Sequence, residues 1–346
     1  MSVAEFRWFY VSSYFDLSHC PCCGHAHFST PVVNFQVSDN SLGSLLSGRK
    51  SADLPGFDLA AFSRVGWSVC GHCATIFARR RPVLAGQPGW YVPLFQLSEE
   101  RNYDTYPLPA AYLAGKQKSA AKLFDTLDRA GVFASQRSVL HLRCGPGYLL
   151  QLIGGRLPDA KLYGLEYFVN PARCAREILP RARIAAITGP EPVVSFARQK
   201  FDLIIVNHFL THANDPSAYV DYLKTLLADG GQIVFYNELD HALSLKSMSA
   251  YPRGLNFFHK QLFNRNTLSG FLKSRGLSVA DVDSTSGAKP PKYIAVVCRK
   301  GEARPMPPGD SQAAVQLLEN WSKKSRFYAR TKWAIKPMRK LIRRAG

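Results

Sequence analysis

The chain has 346 residues, 46% of them hydrophobic, and its 44 lysines and arginines outweigh 25 aspartates and glutamates to give a formal charge of +19. That length and apolar fraction suit one sizeable α/β domain with a small appendage. No apolar run reaches the length needed to span a bilayer, which excludes a helical integral membrane protein.

The first chemistry met along the chain is cysteine. Cys20-Pro21-Cys22-Cys23-Gly24 and Cys70-Gly71-His72-Cys73 contain two Cys-x-x-Cys pairs. Each such pair straddles a tight turn, and two of them supply the four ligands of a tetrahedral zinc site. Cys20, Cys23, Cys70 and Cys73 are the expected ligands, with Cys22 a competitor offset by one residue. Four thiolates leave no open position, so the expected role is structural. The other reading, a disulfide pair, needs an oxidising compartment, and no signal peptide precedes these cysteines; a cytoplasmic location is expected. A zinc-ribbon-like module is expected over residues 1–98.

A tyrosine-bearing stretch, Tyr103 and Tyr106 within residues 102–109, leads into a helical pattern over residues 110–130 ending at Gly131. Next comes a buried strand, Ser138 to Leu142, that runs into Gly145-Pro146-Gly147 and an apolar helical run from Tyr148. Strand, glycine turn and helix make half of a doubly wound unit, in which the turn lets the backbone approach a ligand. A second strand, residues 161–166, ends in Glu166 about 20 residues beyond the turn, where such folds place an acid on ribose hydroxyls.

Arg183 to Thr188 reads as a third strand, with no obvious acid at its end. The β-branched run 201–206 is a buried parallel strand, and the loop Asn207 to Pro216 at its carboxyl end lies where open α/β sheets bind ligands. A helix over residues 217–227 closes at Gly230-Gly231 before a strand at 232–236. Residues 257–268 read Phe-Phe-His-Lys-Gln-Leu-Phe-Asn-Arg-Asn-Thr-Leu, with a helix expected to begin near Asn266, and residues 292–298 supply a last strand.

Taken in this order, Val139 to Gly147, Phe201 to Ile205 with His208 and His212, the Gly-Gly turn and His259 to Leu268 resemble the motifs of class I S-adenosylmethionine (SAM) methyltransferases, over about residues 100–300. A cysteine module with a long insertion ahead of such a domain is similar to the layout of bacterial sugar and small-molecule methyltransferases. The resemblance implies a Rossmann-like doubly wound methyltransferase domain over residues 99–300. It also implies SAM contacts from His141, Gly145, Gly147, Glu166, Asn207, Tyr103 and Tyr106. Acceptor activation would fall to His212, His259 and His208, since a histidine of near-neutral pKa suits removal of an acceptor proton. The acceptor expected from this likeness is a small metabolite such as a nucleotide-linked sugar or polysaccharide precursor, methylated on oxygen or carbon.

Two letters depart from the pattern. His141 stands where related enzymes carry an acid, and Arg143 replaces the first glycine of the turn. A cation there is expected to oppose the positive methionine end of SAM. A methyltransferase-like scaffold that has lost SAM binding is therefore the alternative function.

The charge is concentrated at the end of the chain, where Lys323 to Arg344 contains no acid. Residues 301–346 are expected to form a Pro-containing linker, Pro305 to Pro308, and a basic amphipathic tail. Trp321, Phe327, Tyr328 and Trp333 interleave with the cations, so the alternatives to a solvated tail are peripheral contact with anionic membrane or nonspecific nucleic-acid contact; specific nucleic-acid binding is not expected.

Overall fold

The computed structural model describes residues 11–36, 64–84, 105–166, 168–186, 196, 198–239, 259–282 and 293–324. Its centre is a seven-stranded sheet of β6 (Ser138–Leu142), β7 (Lys161–Glu166), β8 (Arg183–Ala186), β9 (Phe201–Asn207), β10 (Leu227–Leu239), β12 (Leu277–Asp281) and β13 (Tyr293–Lys300). The spatial order is β12-β13-β10-β9-β6-β7-β8. The five strands from β8 to β10 run parallel, while β13 is antiparallel to both of its neighbours.

Helices cover both faces, so the central strands are apolar on both sides. Val139, Leu203, Ile205 and Val234 pack with Leu127 of α1 (Ala110–Arg129) and with Leu149, Leu150 and Ile153 of α2 (Tyr148–Arg156). The alternate residues Leu140, Ile204, Val206, Ile233 and Phe235 pack with Tyr219, Val220 and Leu223 of α4 (Pro216–Leu226) and with Leu268 and Phe271 of α5 (Arg265–Ser274). The period of two along each strand thus divides one sheet between two cores. α3 (Val169–Ile178) packs tightly beside the glycine turn, where a Cβ on Gly147 would lie 3.0 Å from the Ala175 Cβ.

The strand order reverses between β6 and β9, and doubly wound sheets bind ligands outside the carboxyl ends of strands at such a switch point. Here that crevice is bounded by Leu142 and Arg143 on one side and Asn207 and His208 on the other.

The cysteine pairs flank a second, four-stranded sheet, and β1 (Val11–Asp16) pairs with β5 (Arg80–Leu84) beside it. β2 (Val33–Gln36), β3 (Arg64–Val69) and β4 (Ile76–Ala78) come from the N-terminal region, whereas β11 (Gln261–Leu262) comes from the segment just after His259. Phe77 pairs with Gln261 and Ile76 with Leu262. The small sheet is therefore built from residues on both sides of position 98.

The stretch expected as a free linker is packed instead. Met306 is buried and accepts from His72 Nε2 at 2.9 Å through its carbonyl, while the Gly309 N–H donates to the His72 carbonyl at 2.7 Å. Helical residues 311–324 (α6) follow, with Ala314, Leu318 and Trp321 buried. The spacing of three and four residues puts them on one helix face, so Trp321 serves packing and is not available to a lipid surface. The remaining cations of the tail lie outside the described residues. No helix among the described residues is long and apolar enough to cross a membrane.

Candidate functional site at the sheet switch point

The glycine turn leaves β6 with three successive departures from ordinary backbone: φ is 59° at Arg143, 57° at Gly145 and 88° at Gly147. Only glycine takes such values without strain, so Arg143 holds its place against a cost of about 1 kcal/mol or more. A Cβ on Gly145 would meet nothing within 4 Å among the described residues, which leaves room above the turn. Across the turn, Glu166 is 4% exposed; its Oε2 accepts the Gly145 N–H at 2.6 Å and its Oε1 the Phe168 N–H at 3.2 Å. A carboxylate offers about four lone-pair sites. Glu166 therefore holds the turn in shape through both of its oxygens.

His141 is buried beside the Tyr236 hydroxyl, 3.1 Å from its Nε2. Burial, aided by the Arg143 charge, lowers its pKa to about 3, so the imidazole is neutral at physiological pH. Its Nδ1 has no hydrogen-bond partner among the described residues. An orphaned buried nitrogen fits a site that a ligand completes. Arg143 is turned toward the neighbouring strand, where its Nη1 donates to the carbonyls of Asn207 at 3.3 Å and His208 at 3.1 Å.

His208 and His212 converge with His259, which is distant from them in sequence. Ring centroids are 4.7 Å apart for His208 and His212, 4.8 Å for His212 and His259, and 5.7 Å for His208 and His259. His208 and His212 sit on one tight turn, in which the His212 N–H donates to the Phe209 carbonyl at 2.9 Å. His208 starts that turn at a φ of 49°, its N–H bonded to the Tyr236 carbonyl at 2.9 Å.

The histidine loop is held from beneath by residues with no recognisable sequence signature. Gln261 Nε2 donates to the carbonyls of Leu210 and, at 2.9 Å, Ala213. Its Oε1 accepts from Arg81 Nη1 at 3.0 Å, and the same guanidinium donates to the carbonyls of Ala78, Ala213 and Lys260 at 3.1–3.2 Å. Arg81 is fully buried; burial lowers its pKa to about 9, which still leaves it charged at neutral pH. Lys260 is also buried, and its ammonium is disfavoured by that burial and by Arg81.

The four predicted cysteines come together as well. Cys20 Sγ lies 3.7 Å from Cys73 Sγ, and Cys23 Sγ 3.4 Å from Cys70 Sγ. Four sulfurs on a zinc ion with bonds of about 2.3 Å stand roughly 3.8 Å apart, so the set fits the ion. The two turns repeat one geometry: Gly24 N–H bonds the Cys20 carbonyl at 3.0 Å and Ala74 N–H the Cys70 carbonyl at 3.1 Å. The residue after each pair has positive φ, 75° at Gly24 and 60° at Ala74. Hydrogen bonding among the four thiols favours one thiolate, at Cys70, and raises the pKa of Cys20, Cys23 and Cys73. Cys22 is buried outside the tetrad.

Tyr106 is not brought to this crevice. Tyr106 bonds Glu177 and lies under Arg173, whose guanidinium is 4.0 Å from the ring centre, on α3. Tyr103 lies outside the described residues.

Residues 115–282, just under half of the chain, match the family model described as a methyltransferase domain. Among curated proteins, the chain is 28% identical to a malonyl-[acyl-carrier protein] O-methyltransferase of Acetivibrio thermocellus over 41% of its own length and 48% of the relative's. It is 26% identical to a ubiquinone biosynthesis O-methyltransferase of Stutzerimonas stutzeri, over 42% of this chain and 66% of that one. It thus spans about half the length of the malonyl relatives that it matches. An O-methyltransferase family protein from Burkholderia thailandensis superposes with a TM-score of 0.45 at 16% identity, covering 56% of this chain and 60% of that one. Residues 115–282 are thus similar to a methyltransferase domain, and they lie on a mostly parallel α/β sheet whose switch point holds the glycine turn and the histidine loop.

Proposed function

We propose that the chain is a SAM-dependent methyltransferase acting on an oxygen acceptor. The observation that carries this reading is the pairing, at one switch point, of Glu166 against an open glycine turn with three converging histidines. Glu166 would accept from the ribose hydroxyls, and Gly145 and Gly147 would let the nucleoside lie against the backbone. Asn207, at the end of β9, and the orphaned Nδ1 of His141 would meet the methionine portion.

SAM brings a methyl group already activated on a sulfonium, so the protein's task is alignment and removal of the acceptor proton. His208, His212 and His259 present imidazole nitrogens to that task from a loop that Gln261 and Arg81 hold rigid. The relatives named for oxygen methylation support an oxygen nucleophile; none of them is named for a nucleotide-sugar, the acceptor expected from the sequence. Tyr106 on α3 has no part in this reading. Cys20, Cys23, Cys70 and Cys73 would hold a structural zinc that fixes the small sheet, and through β11 the His259 segment.

Calorimetric titration with SAM tests the reading. A dissociation constant in the low micromolar range or better is expected. Absence of binding would favour the scaffold that the departures at His141 and Arg143 suggest.

A further inference from the structure

We propose that His208, His212 and His259 form a second metal site, an open three-imidazole seat for a divalent cation of the zinc class, which holds and activates the acceptor oxygen. This rests on the methyltransferase reading and adds to it the means of activation.

One ligand nitrogen from each histidine can be chosen so that all three lie within 4.8 Å of one another. A tetrahedral zinc with bonds of about 2.0–2.1 Å separates its nitrogens by roughly 3.4 Å. Small ring rotations close that difference, and the roughly perpendicular ring planes, 77° for His208 with His212 and 83° for His208 with His259, suit three imidazoles converging on one point better than a stack. Among the described residues no carboxylate joins the set. Imidazoles alone select zinc and its neighbours in the first transition row over magnesium or calcium, which require oxygen donors.

The contrast with the cysteine tetrad is informative. Four thiolates close a tetrahedron and make a structural centre, whereas three imidazoles leave one position for an exogenous ligand. The cluster stands where that position is useful, since the His208 carbonyl accepts from Arg143 of the glycine turn at 3.1 Å. The surroundings also fix the ligands as a metal site needs. His212 and His259 are 4% and 6% exposed, and the Thr211 carbonyl accepts the Lys260 N–H at 2.7 Å, clamping the two ligand segments together.

An acceptor hydroxyl bound at the fourth position would lose its proton to water near neutral pH, because a zinc-class ion lowers the pKa of a bound oxygen by many units. The oxygen then forms a bond to the methyl carbon as the carbon–sulfur bond breaks, and the electron pair stays on sulfur. Sulfonium and alkoxide thereby become thioether and methyl ether, with no redox partner required.

The test uses the full chain purified without chelator and equilibrated with zinc. Elemental analysis is expected to give two equivalents of zinc per chain, falling to one in His208→Ala and in His259→Ala. Zinc X-ray absorption on the wild type is expected to show mixed sulfur and nitrogen ligation, a readout independent of whether any variant folds. A single equivalent in the wild type, or sulfur-only ligation, would overturn the proposal. SAM calorimetry on the same preparations separates the two ideas: SAM binding with one sulfur-bound zinc removes the metal site alone, whereas no SAM binding removes the methyltransferase reading.

Discussion

Arg143 donates across the switch point to the His208 carbonyl at 3.1 Å, joining the glycine turn to the histidine loop. The residue that breaks the glycine pattern of the turn thereby acts as a tie between the two halves of the crevice. Arg143→Gly removes backbone strain of about 1 kcal/mol but loses hydrogen bonds from a charged donor, each worth about 1.5–3 kcal/mol. We expect a net destabilisation of about 2–5 kcal/mol in urea unfolding. Removing the cation should also tighten SAM binding by about fivefold, from a Coulomb term near 1 kcal/mol. Weaker binding would mean that the tie, and not the charge, dominates.

The neutral His141 makes stability depend on acid. Its pKa is near 3 in the folded protein and about 6.5 unfolded, so between those values the unfolded chain binds more protons. Stability is complete above about pH 6.5 and falls as the pH drops toward 3. The loss from this group alone is about 2 kcal/mol at pH 5. His141→Gln should flatten that part of the profile; an unchanged pH slope would show that other groups carry it.

Arg81 joins the small sheet to the histidine loop through four carbonyls and the Gln261 side chain. Arg81→Met keeps the volume but leaves buried acceptors unpaired, at about 1–3 kcal/mol for each one that cannot relax. We expect a loss of at least about 3 kcal/mol in denaturant unfolding. Turnover should fall further than SAM affinity, because the loop carries the acceptor side of the site. Equal losses in both would point to a general collapse.

Zinc at the cysteine tetrad should act at a distance. β4 follows Cys73 directly and pairs with Gln261 and Leu262, two and three residues after His259. Cys73→Ser should release the tetrad metal and remove stabilisation of the order of 10 kcal/mol from the module. Hydrogen exchange at residues 259–262 should rise with it. Protected amides there after metal loss would show that β11 stands without the cysteine module.

Sequence reading reached the central sheet because its signals are local. The apolar run Leu203 to Val206, the strand Val139 to Leu142 interrupted only by His141, glycine turns, and an acid at the end of β7 each fall within one short window. The Cys-x-x-Cys pairs and the three histidines were legible for the same reason, by residue type and place in the motifs.

What escaped was long-range. Pairing of Phe77 with Gln261, and the hydrogen bond from Arg81 to Gln261 across 180 residues, leave no periodicity to read. β12 gave no distinct signal beside the better-marked β13. α6 did leave one, the face of Ala314, Leu318 and Trp321, but the charge of the tail outweighed it. Tyr106 shows the converse, since its place ahead of the domain suggested the cofactor while the fold sets it on α3.

The proposed function depends above all on SAM binding by Glu166 and the glycine turn. Calorimetry on the wild type and Glu166→Gln tests it directly. Micromolar binding by the wild type, weakened at least about tenfold in the variant through loss of hydrogen bonds to a charged acceptor, is the predicted result. Equal affinity in the two proteins, or none in the wild type, would contradict it.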